Sequence, residues 1–397
     1  MPGGHLPRIG MLAAQFAAYH VDRCAALARR FAGRAEVVAV EVASTSSTYA
    51  WKPSGEIPGA VKQTLFPGQG FEQIGRLRRW RAQFRALRGC KIVLIGIGYN
   101  QPDIILLSWT LRACGVQVIM LTESKFDDHP RRLGREWLKR LLLASYNGAI
   151  VGGQRQIGYA RFLGFGRRPV LPGYDGVDVM RIRAQADAAL GGRSIAWEDR
   201  DFVFVGRFVS KKNLETLLEG FAAYARAAGP QARRLQLIGS GELEAALRAR
   251  AEALGIADRV IFPGFLDAAE VSARLAEALA LILVSTEEQW GLVVNEALAV
   301  GLPVVVSTAV GSRDALVRNL INGYVVEPGS IAGIAQALGE LSASQEGWLR
   351  MSEASRARAW LGDADRLADA VEILLDADAK EAGERLALFN SHLMETT

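Results

Sequence analysis

Short β-branched segments alternate with helical segments along almost the whole chain of 397 residues. RIGMLA, KIVLIGIG and LPVVVST are nearly continuous apolar runs, whereas VDRCAALARRF and PDIILLSWTLRAC read as amphipathic helices. Continuous apolar runs are typical of strands that are buried on both faces of a parallel sheet, and the helices between them cover those faces. We therefore expect an α/β fold built from doubly wound parallel sheets.

The alternation occurs twice, and the chain is long for one domain, since domains usually hold about 100 to 200 residues. We expect a first Rossmann-like domain over residues 1–190 and a second over 191–377, with the join near LGGRSIAWE. A C-terminal helix over about 378–397 is expected to pack back on the first domain. Ligands bind beyond the carboxyl ends of the strands in such domains, so two facing domains would form a cleft.

Cysteine, histidine and hydropathy patterns narrow the class of protein. The three cysteines show no CxxC spacing and the four histidines no HxxxH spacing, which argues against a disulfide framework or a metal site. The first twenty residues do not resemble a signal peptide, and no apolar run approaches the roughly 20 residues that span a bilayer. These patterns favour a cytoplasmic protein.

Basic residues are concentrated in the first half of the chain. Residues 1–200 hold 29 Lys+Arg against 15 Asp+Glu, and residues 201–397 hold 18 against 27. The densest segment, FEQIGRLRRWRAQFRALRGCK, predicts a helix with arginines around an apolar face of Ile74, Leu77, Trp80, Phe84 and Leu87. It could be an ordinary helix with a solvated basic face, or its basic face could bind anionic lipid or a phosphate-bearing substrate. Both can hold together, because a face not used for packing remains available. No nucleic-acid-binding module accompanies the charge, so nucleic acid is not expected.

The segment FVGRFVSKKNLETLLEGF predicts an anion site in the second half. Gly206 lets the chain turn after a strand, and Arg207 and Lys212 follow before a helix. Arginine can grip phosphate oxygens in a bidentate way, lysine adds a second charge, and the helix N-terminus favours anions. Alternatively, both cations are solvated residues at the start of a helix.

Two further loops follow strands in the second half. In LIGSGEL, Gly239 and Gly241 would allow a ligand to approach the backbone closely, although a mere tight turn would look the same. In PGFLDAAEV, Phe265 could contact a nucleobase or could simply belong to the core.

The segment STEEQWGLVVNEALAVGLPVV carries two glutamates, Glu288 before a helix and Glu296 within it. The amides of Gly291, Leu292 and Val293 at the helix N-terminus lack intrahelical acceptors and suit a diphosphate. Carboxylates on either side could each hold a pair of hydroxyls, which together describes a nucleotide sugar. Alternatively, Glu288 is an ordinary acid at a helix start and Glu296 has a structural partner.

Taken in order, these segments resemble the retaining glycosyltransferases of family 4, which have the GT-B fold. The resemblance covers nearly all of residues 196–345. The family's G-R-x-x-x-x-K element is matched by Gly206, Arg207 and Lys212, and its G-x-G loop by Gly239 and Gly241. Its E-x7-E element, of the form E-G-F-G-L-x-x-x-E-A-x-A-x-G-x-P-V-V, is matched by Glu288, Trp290, Gly291, Leu292, Glu296, Ala297, Ala299, Gly301, Pro303, Val304 and Val305. Later elements, including N-G-x-x-V, are matched by Gly311, Asp314, Val317, Asn322, Gly323 and Val326.

The resemblance is weaker upstream. Gly176, Val177 and Asp178 look like the family's N-G-V-D segment, but the usual glycine-rich loop after the first strand is replaced by MLAAQFAAYHVDR. Asn213 replaces the usual glycine after the lysine, and Glu123 lies near the place where many members carry a histidine. The donor side of the site is thus better matched than the acceptor side.

The resemblance implies a function and roles for these residues. Arg207 and Lys212 would neutralise the departing diphosphate, so that no metal or other cofactor is needed. Glu288 would bind the transferred sugar and Glu296 the ribose of a UDP- or GDP-type donor. The implied activity is transfer of a hexose-type sugar, with retention at the anomeric carbon, to a glycan acceptor in surface or exopolysaccharide synthesis.

The acceptor is expected to bind the first domain. Glu123 would be catalytic, and Lys125, Asp127, Asp128 and His129 on the same loop are acceptor-side candidates, although the loop could also be an ordinary polar surface. In bacterial enzymes of this type the acceptor is often a lipid-linked glycan at the inner face of the cytoplasmic membrane. Three tryptophans in the first domain, together with the arginine-rich helix, would suit an anionic membrane surface: Trp80, Trp109 and Trp137.

Two rival functions stay open on the sequence. A GT-B nucleotide-sugar epimerase would release nucleotide and an altered sugar without an acceptor. A catalytically silent binding or scaffold subunit would retain the fold alone, against which the complete set Arg207, Lys212, Glu288 and Glu296 argues. A sugar phosphorylase is disfavoured because the chain has no lysine suitably placed for a pyridoxal cofactor. A nicotinamide dehydrogenase is disfavoured because no GxGxxG follows the first strand of either half.

Overall fold

The structure is a computed structural model that describes residues 6–46, 53–376 and 380–394. These residues divide into two compact units, one of residues 6–178 with 364–394 and one of residues 179–363. The division therefore falls after Asp178, earlier in the chain than the join suggested near residue 190. The final helical segments return to the first unit.

The first unit is built on a seven-stranded sheet in which all neighbouring strands run parallel. The strand order is β3-β2-β1-β4-β5-β6-β7. Its strands are β1 (Arg8–Ala13), β2 (Glu36–Thr45), β3 (Val61–Gly70), β4 (Ile92–Ile95), β5 (Gln117–Thr122), β6 (Gly148–Val151) and β7 (Val170–Pro172).

The second unit is built on a six-stranded parallel sheet in the order β10-β9-β8-β11-β12-β13. The order reverses between the neighbouring strands β8 and β11, which is the arrangement of a doubly wound fold. Its strands are β8 (Phe202–Val205), β9 (Leu235–Ile238), β10 (Val260–Gly264), β11 (Ala280–Leu283), β12 (Val304–Ser307) and β13 (Gly323–Val326).

Helices follow most of the strands and cover the sheets. They are α1 (Ala18–Arg30), α2 (Arg76–Leu87), α3 (Pro102–Ala113), α4 (Leu133–Leu142), α5 (Gln154–Ala160), α6 (Val179–Leu190), α7 (Leu214–Ala228), α8 (Glu244–Ala253), α9 (Ala268–Glu277), α10 (Leu292–Ala299), α11 (Arg313–Leu316), α12 (Ile331–Ala343), α13 (Gln345–Arg358), α14 (Asp365–Leu375) and α15 (Lys380–Met394). None of the helices in the described residues is both long enough and apolar enough to span a bilayer.

Both faces of the first sheet are buried at its central strands. Successive side chains of a strand point to opposite faces, and on β4 Val93 and Ile95 belong to one apolar cluster while Ile92 and Leu94 belong to another. Helices α14 and α15 belong to this unit, and α15 packs on α14. The expected C-terminal helix is thus present as α15, while residues 377–379 and 395–397 lie outside the described residues. The predicted α/β fold with parallel sheets is confirmed.

Helix α2 differs from its predicted amphipathic pattern. Leu87 is buried as expected, but Leu77 is exposed and Arg79 takes a buried position. The Arg79 guanidinium donates to both carboxylate oxygens of Asp103, at 2.9 and 2.8 Å, and stacks over the ring of Phe71. A buried charge is tolerated only when it is paired. One arginine of the basic helix is therefore part of the core, because Asp103 on α3 compensates its charge.

Candidate functional site

The loops after β8 and β11 begin at the same edge of the second sheet. These strands are neighbours, and the strand order reverses between them. The β8 loop carries Arg207 and Lys212, and the β11 loop carries Glu288. Ligands of doubly wound folds bind at this reversal point, beyond the carboxyl ends of the strands. The fold therefore brings together the cations and one of the carboxylates that the sequence suggested.

Lys212 and Glu288 form a direct ion pair between the Nζ and Oε2 atoms, with side chains that are 14% and 13% exposed. The hydroxyl of Ser285 donates to the same carboxylate oxygen at 3.2 Å. The Cε atom of Lys212 lies 3.7 Å from the point where a Cβ atom on Gly206 would sit, so the lysine stem passes over this glycine. Ser285, which holds the carboxylate toward the lysine, was missed because no motif in the sequence marks it.

Asn213 explains why the chain tolerates a residue other than glycine after Lys212. Its backbone is left-handed, with a φ of 58°, and asparagine adopts this region more readily than other residues with a Cβ. The side-chain amide donates to the carbonyls of Val284 and Pro328 at 3.0 and 2.7 Å, and its oxygen accepts from Thr216 at 2.8 Å. The asparagine thus fastens the Lys212 loop to the end of β11.

Gly239 and Gly241 have a packing role that the sequence left undecided. A Cβ atom on Gly239, whose φ is 133°, would collide with the carbonyl oxygen of Gly206. A Cβ atom on Gly241 would likewise collide with the backbone of Phe208. Gly239 and Gly241 are therefore glycines because protein backbone, rather than a ligand, lies where a side chain would be. The contact lets the β9 loop lie directly against the β8 loop. The β8 loop carries Arg207, and the side chain of Arg207 is exposed.

Helix α10 begins beside Glu288. Its N-cap, Gly291, has a φ of 93°, and a Cβ atom there would lie 2.9 Å from the side chain of Leu283. The first-turn residues Leu292 and Val293 are partly exposed, and so is Glu296 one turn further on. Amides in the first turn of a helix lack intrahelical acceptors. The first-turn amides lie between Glu288 and Glu296 in the chain, and their binding of a diphosphate stays a prediction.

The N-terminal end of α10, which follows Glu288 in the chain, is held in place by the buried Trp290. The Nε1 of Trp290 donates to Asn295 Oδ1 at 3.0 Å, and Asn295 Nδ2 donates to the carbonyl of Gly362 at 3.0 Å. The amide of Gly311 donates to the carbonyl of Glu288 at 3.1 Å. These bonds fix the segment on which the Glu288 side chain is carried.

Phe265 follows Gly264 at the end of β10 and is more than half exposed. The alternative interpretation of this residue as part of the core is therefore wrong. Its contact with a nucleobase stays a prediction.

In the first unit, the carboxylate of Glu123 after β5 acts electrostatically on Asp175 after β7. Burial of Asp175, together with the charge of Glu123, raises its pKa well above the usual range, and Arg23 opposes this. Arg23 is fully buried, donates to the Gly176 carbonyl at 3.1 Å, and lies 3.3 Å from Asp175 Oδ1. A raised pKa allows a carboxyl group to remain protonated and donate to its neighbour. The surroundings of Asp175 therefore favour its protonated form beside Glu123.

Sequence reasoning missed Arg23 and Asp175. The two residues are 152 positions apart, so no local spacing connects them. The one available signal was the segment Gly176–Val177–Asp178, since Asp22 beside Arg23 accepts a hydrogen bond from the Asp178 amide at 3.0 Å.

The acceptor-side candidates after β5 divide into buried and exposed residues. Lys125 is buried and pairs with Asp128 at 3.1 Å and Asp127 at 3.3 Å. Asp128 is also buried, and its Oδ2 accepts from the Lys125 amide at 2.9 Å. Asp127 and His129 are exposed. Lys125 and Asp128 thus hold the loop together, and the predicted acceptor role is carried forward for Asp127 and His129.

The loop after β1 is closed by its own contacts, in agreement with the absence of a glycine-rich sequence there. Phe16 is fully buried and its amide donates to the buried Glu41 at 3.0 Å. The amide of Ala17 donates to Nδ1 of His20 at 3.0 Å. Amides that a glycine-rich loop would offer to a ligand are used here within the protein.

Within the described residues, no three or more His, Cys, Asp or Glu side chains are grouped so that they could hold a metal ion. The need for a metal is not decided by this observation, and metal-independence stays a prediction.

Part of the chain matches a known protein family. Residues 193–358 match the family described as glycosyl transferases group 1. The chain is 31% identical over 154 residues to an uncharacterized glycosyltransferase of Methanocaldococcus jannaschii, covering 37% of this chain and 38% of that protein. It is 28% identical over 152 residues to lipopolysaccharide 1,6-galactosyltransferase of Escherichia coli, covering 37% and 41%. The similarity spans about two-fifths of the length of these relatives.

Solved structures resemble the chain over almost its whole length. Sucrose-phosphate synthase from Thermosynechococcus elongatus matches with a TM-score of 0.69 at 18% identity, covering 93% of this chain and 98% of that one. Anabaena HepE in complex with UDP matches with a TM-score of 0.69 at 16% identity, covering 93% and 99%. Likeness at these identities shows the fold. The chain thus has two parallel-sheet α/β units of the GT-B fold, and residues 193–358 match the glycosyl transferases group 1 family.

Proposed function

We propose that this protein is a retaining glycosyltransferase of family 4 that transfers a hexose from a nucleoside diphosphate sugar to a glycan acceptor. The proposed reaction needs no metal ion or other cofactor. It belongs to surface or exopolysaccharide synthesis, with a lipid-linked glycan as the acceptor and the cytoplasmic face of the membrane as its place.

The observation that carries the proposal is the ion pair between Lys212 and Glu288 at the reversal point of the second sheet. In a nucleoside diphosphate sugar the β-phosphate is bonded to the anomeric carbon, so a cation for the phosphate and a carboxylate for the sugar hydroxyls must be close neighbours. The β8 and β11 loops supply these two groups side by side. A donor that enters would share the lysine between the carboxylate and its phosphate.

We assign the other donor-side residues to the parts of the donor that their positions suggest. Arg207 and Lys212, with the first amides of α10, stabilise negative charge as the diphosphate departs. Glu296 binds the ribose and Glu288 the transferred hexose. The complex of the fold neighbour HepE with UDP supports a uridine nucleotide as the donor. The similarity to a lipopolysaccharide galactosyltransferase supports a glycan acceptor.

The proposed chemistry is a front-face substitution. The bond between the anomeric carbon and the β-phosphate oxygen breaks, and the nucleoside diphosphate leaves with the electron pair. The acceptor oxygen bonds to the same face of the anomeric carbon, and its proton passes to the departing phosphate. We assign acceptor binding to the first unit, with Glu123, Asp127 and His129 as its polar groups.

The test incubates the full chain, in EDTA, with UDP-glucose, UDP-galactose, UDP-N-acetylglucosamine and GDP-mannose, with and without a lipid-linked glycan fraction. Released nucleotide is quantified, and the anomeric configuration of the product is read from NMR coupling constants. We expect nucleotide release with one donor, dependent on the glycan fraction, and an α-linked product from an α-linked donor. Lys212→Ala serves as the inactive control.

The rival functions give different results in the same experiment. An epimerase would form an altered sugar and free nucleotide without the glycan fraction. A scaffold subunit would turn over none of the donors. Inversion at the anomeric carbon would contradict the retaining mechanism while leaving glycosyl transfer intact.

A further inference from the structure

Helix α4 presents most of its apolar residues outward, and its one acidic residue is buried. Its large exposed apolar side chains are Leu133 (73%), Trp137 (62%), Leu138 (55%) and Leu141 (67%). These residues recur at helical spacing and form one continuous stripe. A surface helix of a globular domain usually has the opposite arrangement, with its apolar stripe on the core. An outward apolar stripe of this kind marks a surface that another apolar phase covers.

The inward face of α4 is attached to the protein by charged and polar groups. Glu136, the one acidic residue of this helix, is buried. Its carboxylate accepts from Lys139 Nζ at 2.8 Å and from the Tyr159 hydroxyl at 2.7 Å. Lys139 also donates to the Tyr159 hydroxyl at 2.9 Å. The helix orientation is therefore fixed by this network, and the apolar stripe cannot turn inward without breaking it.

The rim of the stripe is basic. Arg132, Arg135 and Arg140 are exposed, and Arg140 lies over the Trp137 ring at 4.8 Å. Arg135 and Arg140 project on opposite sides of the stripe, given the 3.6-residue period of the helix. Because Glu136 points inward, every exposed charge on this described helix is positive. The combination of leucines and a tryptophan with flanking arginines is typical of helices that lie in the headgroup region of anionic bilayers.

Aromatic residues extend the apolar surface toward the turn that follows α5. Phe126 and Phe162 are exposed, and their ring centroids are 5.0 Å apart. The turn carrying Phe162 contacts α4. Exposed Arg161 continues the basic rim beside it.

We propose that the α4 face, defined as Leu133, Trp137, Leu138 and Leu141 with Arg132, Arg135 and Arg140, docks on the surface of an anionic phospholipid bilayer. The apolar stripe enters the boundary between headgroups and acyl chains, and the arginines bind lipid phosphates while their stems remain apolar. This extends the proposed function, which places the acceptor in a lipid. It also assigns the predicted membrane contact to α4 instead of the arginine-rich helix α2. In α2 two of the residues expected to face a membrane are used within the protein, since Arg79 is buried and Trp80 donates to Thr110 at 3.2 Å.

The test is flotation of the full chain with vesicles of phosphatidylcholine alone and vesicles that also contain phosphatidylglycerol, at low and high salt. We expect binding to the anionic vesicles, weakened by salt because the arginine contribution is screened. Leu133→Ser with Leu141→Ser should reduce the partition coefficient by about tenfold or more at every salt concentration, since burial of apolar surface is lost. Arg135→Gln with Arg140→Gln should abolish the preference for anionic lipid.

The substituted side chains are exposed, so the variants should fold as the wild type does. The matched control is Leu349→Ser with Arg350→Gln on α13, another exposed leucine beside an exposed arginine, which should bind vesicles unchanged. Stabilisation by UDP is measured on every variant. A variant that keeps its UDP response and loses vesicle binding separates this inference from the proposed donor site.

Three results would overturn the proposal. The wild type could fail to bind anionic vesicles at low salt. The α4 variants could bind as strongly as the wild type. Sedimentation could instead show that the wild type dimerises through these residues and ignores vesicles, in which case the face pairs two copies of the chain.

Discussion

The ammonium group of Lys212 contacts the carboxylate of Glu288, although 76 residues separate the two in the chain. The contact exists because β8 and β11 are neighbours in a sheet whose strand order reverses between them. Each residue follows its strand by a short loop, and the two loops meet at the edge where doubly wound folds bind ligands. The pair is partly buried, so removal of either partner leaves a charge that the surroundings only incompletely solvate.

Removing one partner of this pair should separate phosphate binding from sugar binding. Lys212→Ala should weaken UDP binding by about tenfold to a hundredfold, because a charge-assisted contact to the diphosphate is lost. Glu288→Gln should bind UDP at least as tightly as the wild type, since Lys212 no longer has a competing carboxylate, but should lose the added affinity for a UDP-sugar. Isothermal titration calorimetry checks both. Equal losses of UDP and UDP-sugar affinity in Glu288→Gln would contradict the assignment of Glu288 to the hexose.

Substitution of Asn213 should give a graded loss of stability. Asn213→Gly keeps a residue that tolerates a φ of 58° but removes the hydrogen bonds to Val284 and Pro328, and should cost about 1 to 3 kcal/mol in the free energy of unfolding. Asn213→Ala loses the same bonds and adds the strain of a left-handed alanine, about 1 kcal/mol more. Urea-induced unfolding measures both. An alanine variant as stable as the glycine variant would show that backbone strain plays no part.

Gly239 should be irreplaceable by alanine for reasons of packing. Gly239→Ala places a Cβ atom against the Gly206 carbonyl and should destabilise the chain by about 3 kcal/mol or more. The control is Gly339→Ala, because Gly339 lies within α12 and a Cβ atom there meets no neighbour within 4 Å. The control should stabilise the chain by about 0.5 to 1 kcal/mol. Similar urea midpoints for the two variants would refute the packing argument.

His20 should make the first unit less stable in mild acid. Burial of its imidazole, together with the nearby charge of Arg23, lowers its pKa well below the ordinary value of 6.5. The folded state therefore binds the proton more weakly than the unfolded state, so stability is full above about pH 6.5 and falls as the pH drops toward the lowered pKa. The loss from His20 between about pH 7 and pH 5.5 is on the order of 1 kcal/mol.

The variant His20→Gln isolates this effect. Glutamine can accept the hydrogen bond from the Ala17 amide, which His20 Nδ1 accepts at 3.0 Å, and it does not titrate. Its unfolding free energy should fall less steeply than that of the wild type over this pH range. Parallel pH profiles for the two proteins would show that His20 is not kept neutral by the fold.

The sheets were predictable from sequence wherever strands are central. β1 begins and ends where RIGMLA does, because its apolar residues are buried on both faces. β3 was missed because Pro67, Gly68 and Gly70 interrupt its pattern, which an edge strand tolerates since one side of its backbone needs no partner. Arg79 was missed as a core residue because only Asp103, on another helix, makes its burial favourable.

The sequence was enough to predict the location of those candidate residues that follow a strand closely. Arg207, Lys212 and Glu288 follow two strands directly, so parallel pairing was enough to bring their loops to one edge. Lys125 and Asp128 could not be separated from Asp127 and His129 by sequence, because the burial of the first two depends on contacts within the folded loop. The influence of Glu123 on Asp175 was equally hidden, since the two residues lie on separate loops after β5 and β7.

The most direct test of a nucleotide-sugar site in the second unit is the thermal stability of the full chain with UDP, GDP, ADP and their sugar conjugates, in EDTA. A ligand that binds only the folded state raises the melting temperature as its concentration rises. We predict selective stabilisation by one nucleotide and its sugar conjugate, strongly reduced in Glu296→Ala and unchanged in Glu346→Ala, which alters an exposed glutamate on α13. Stabilisation by none of the nucleotides, or an equal response of wild type and Glu296→Ala, would contradict the proposed donor site.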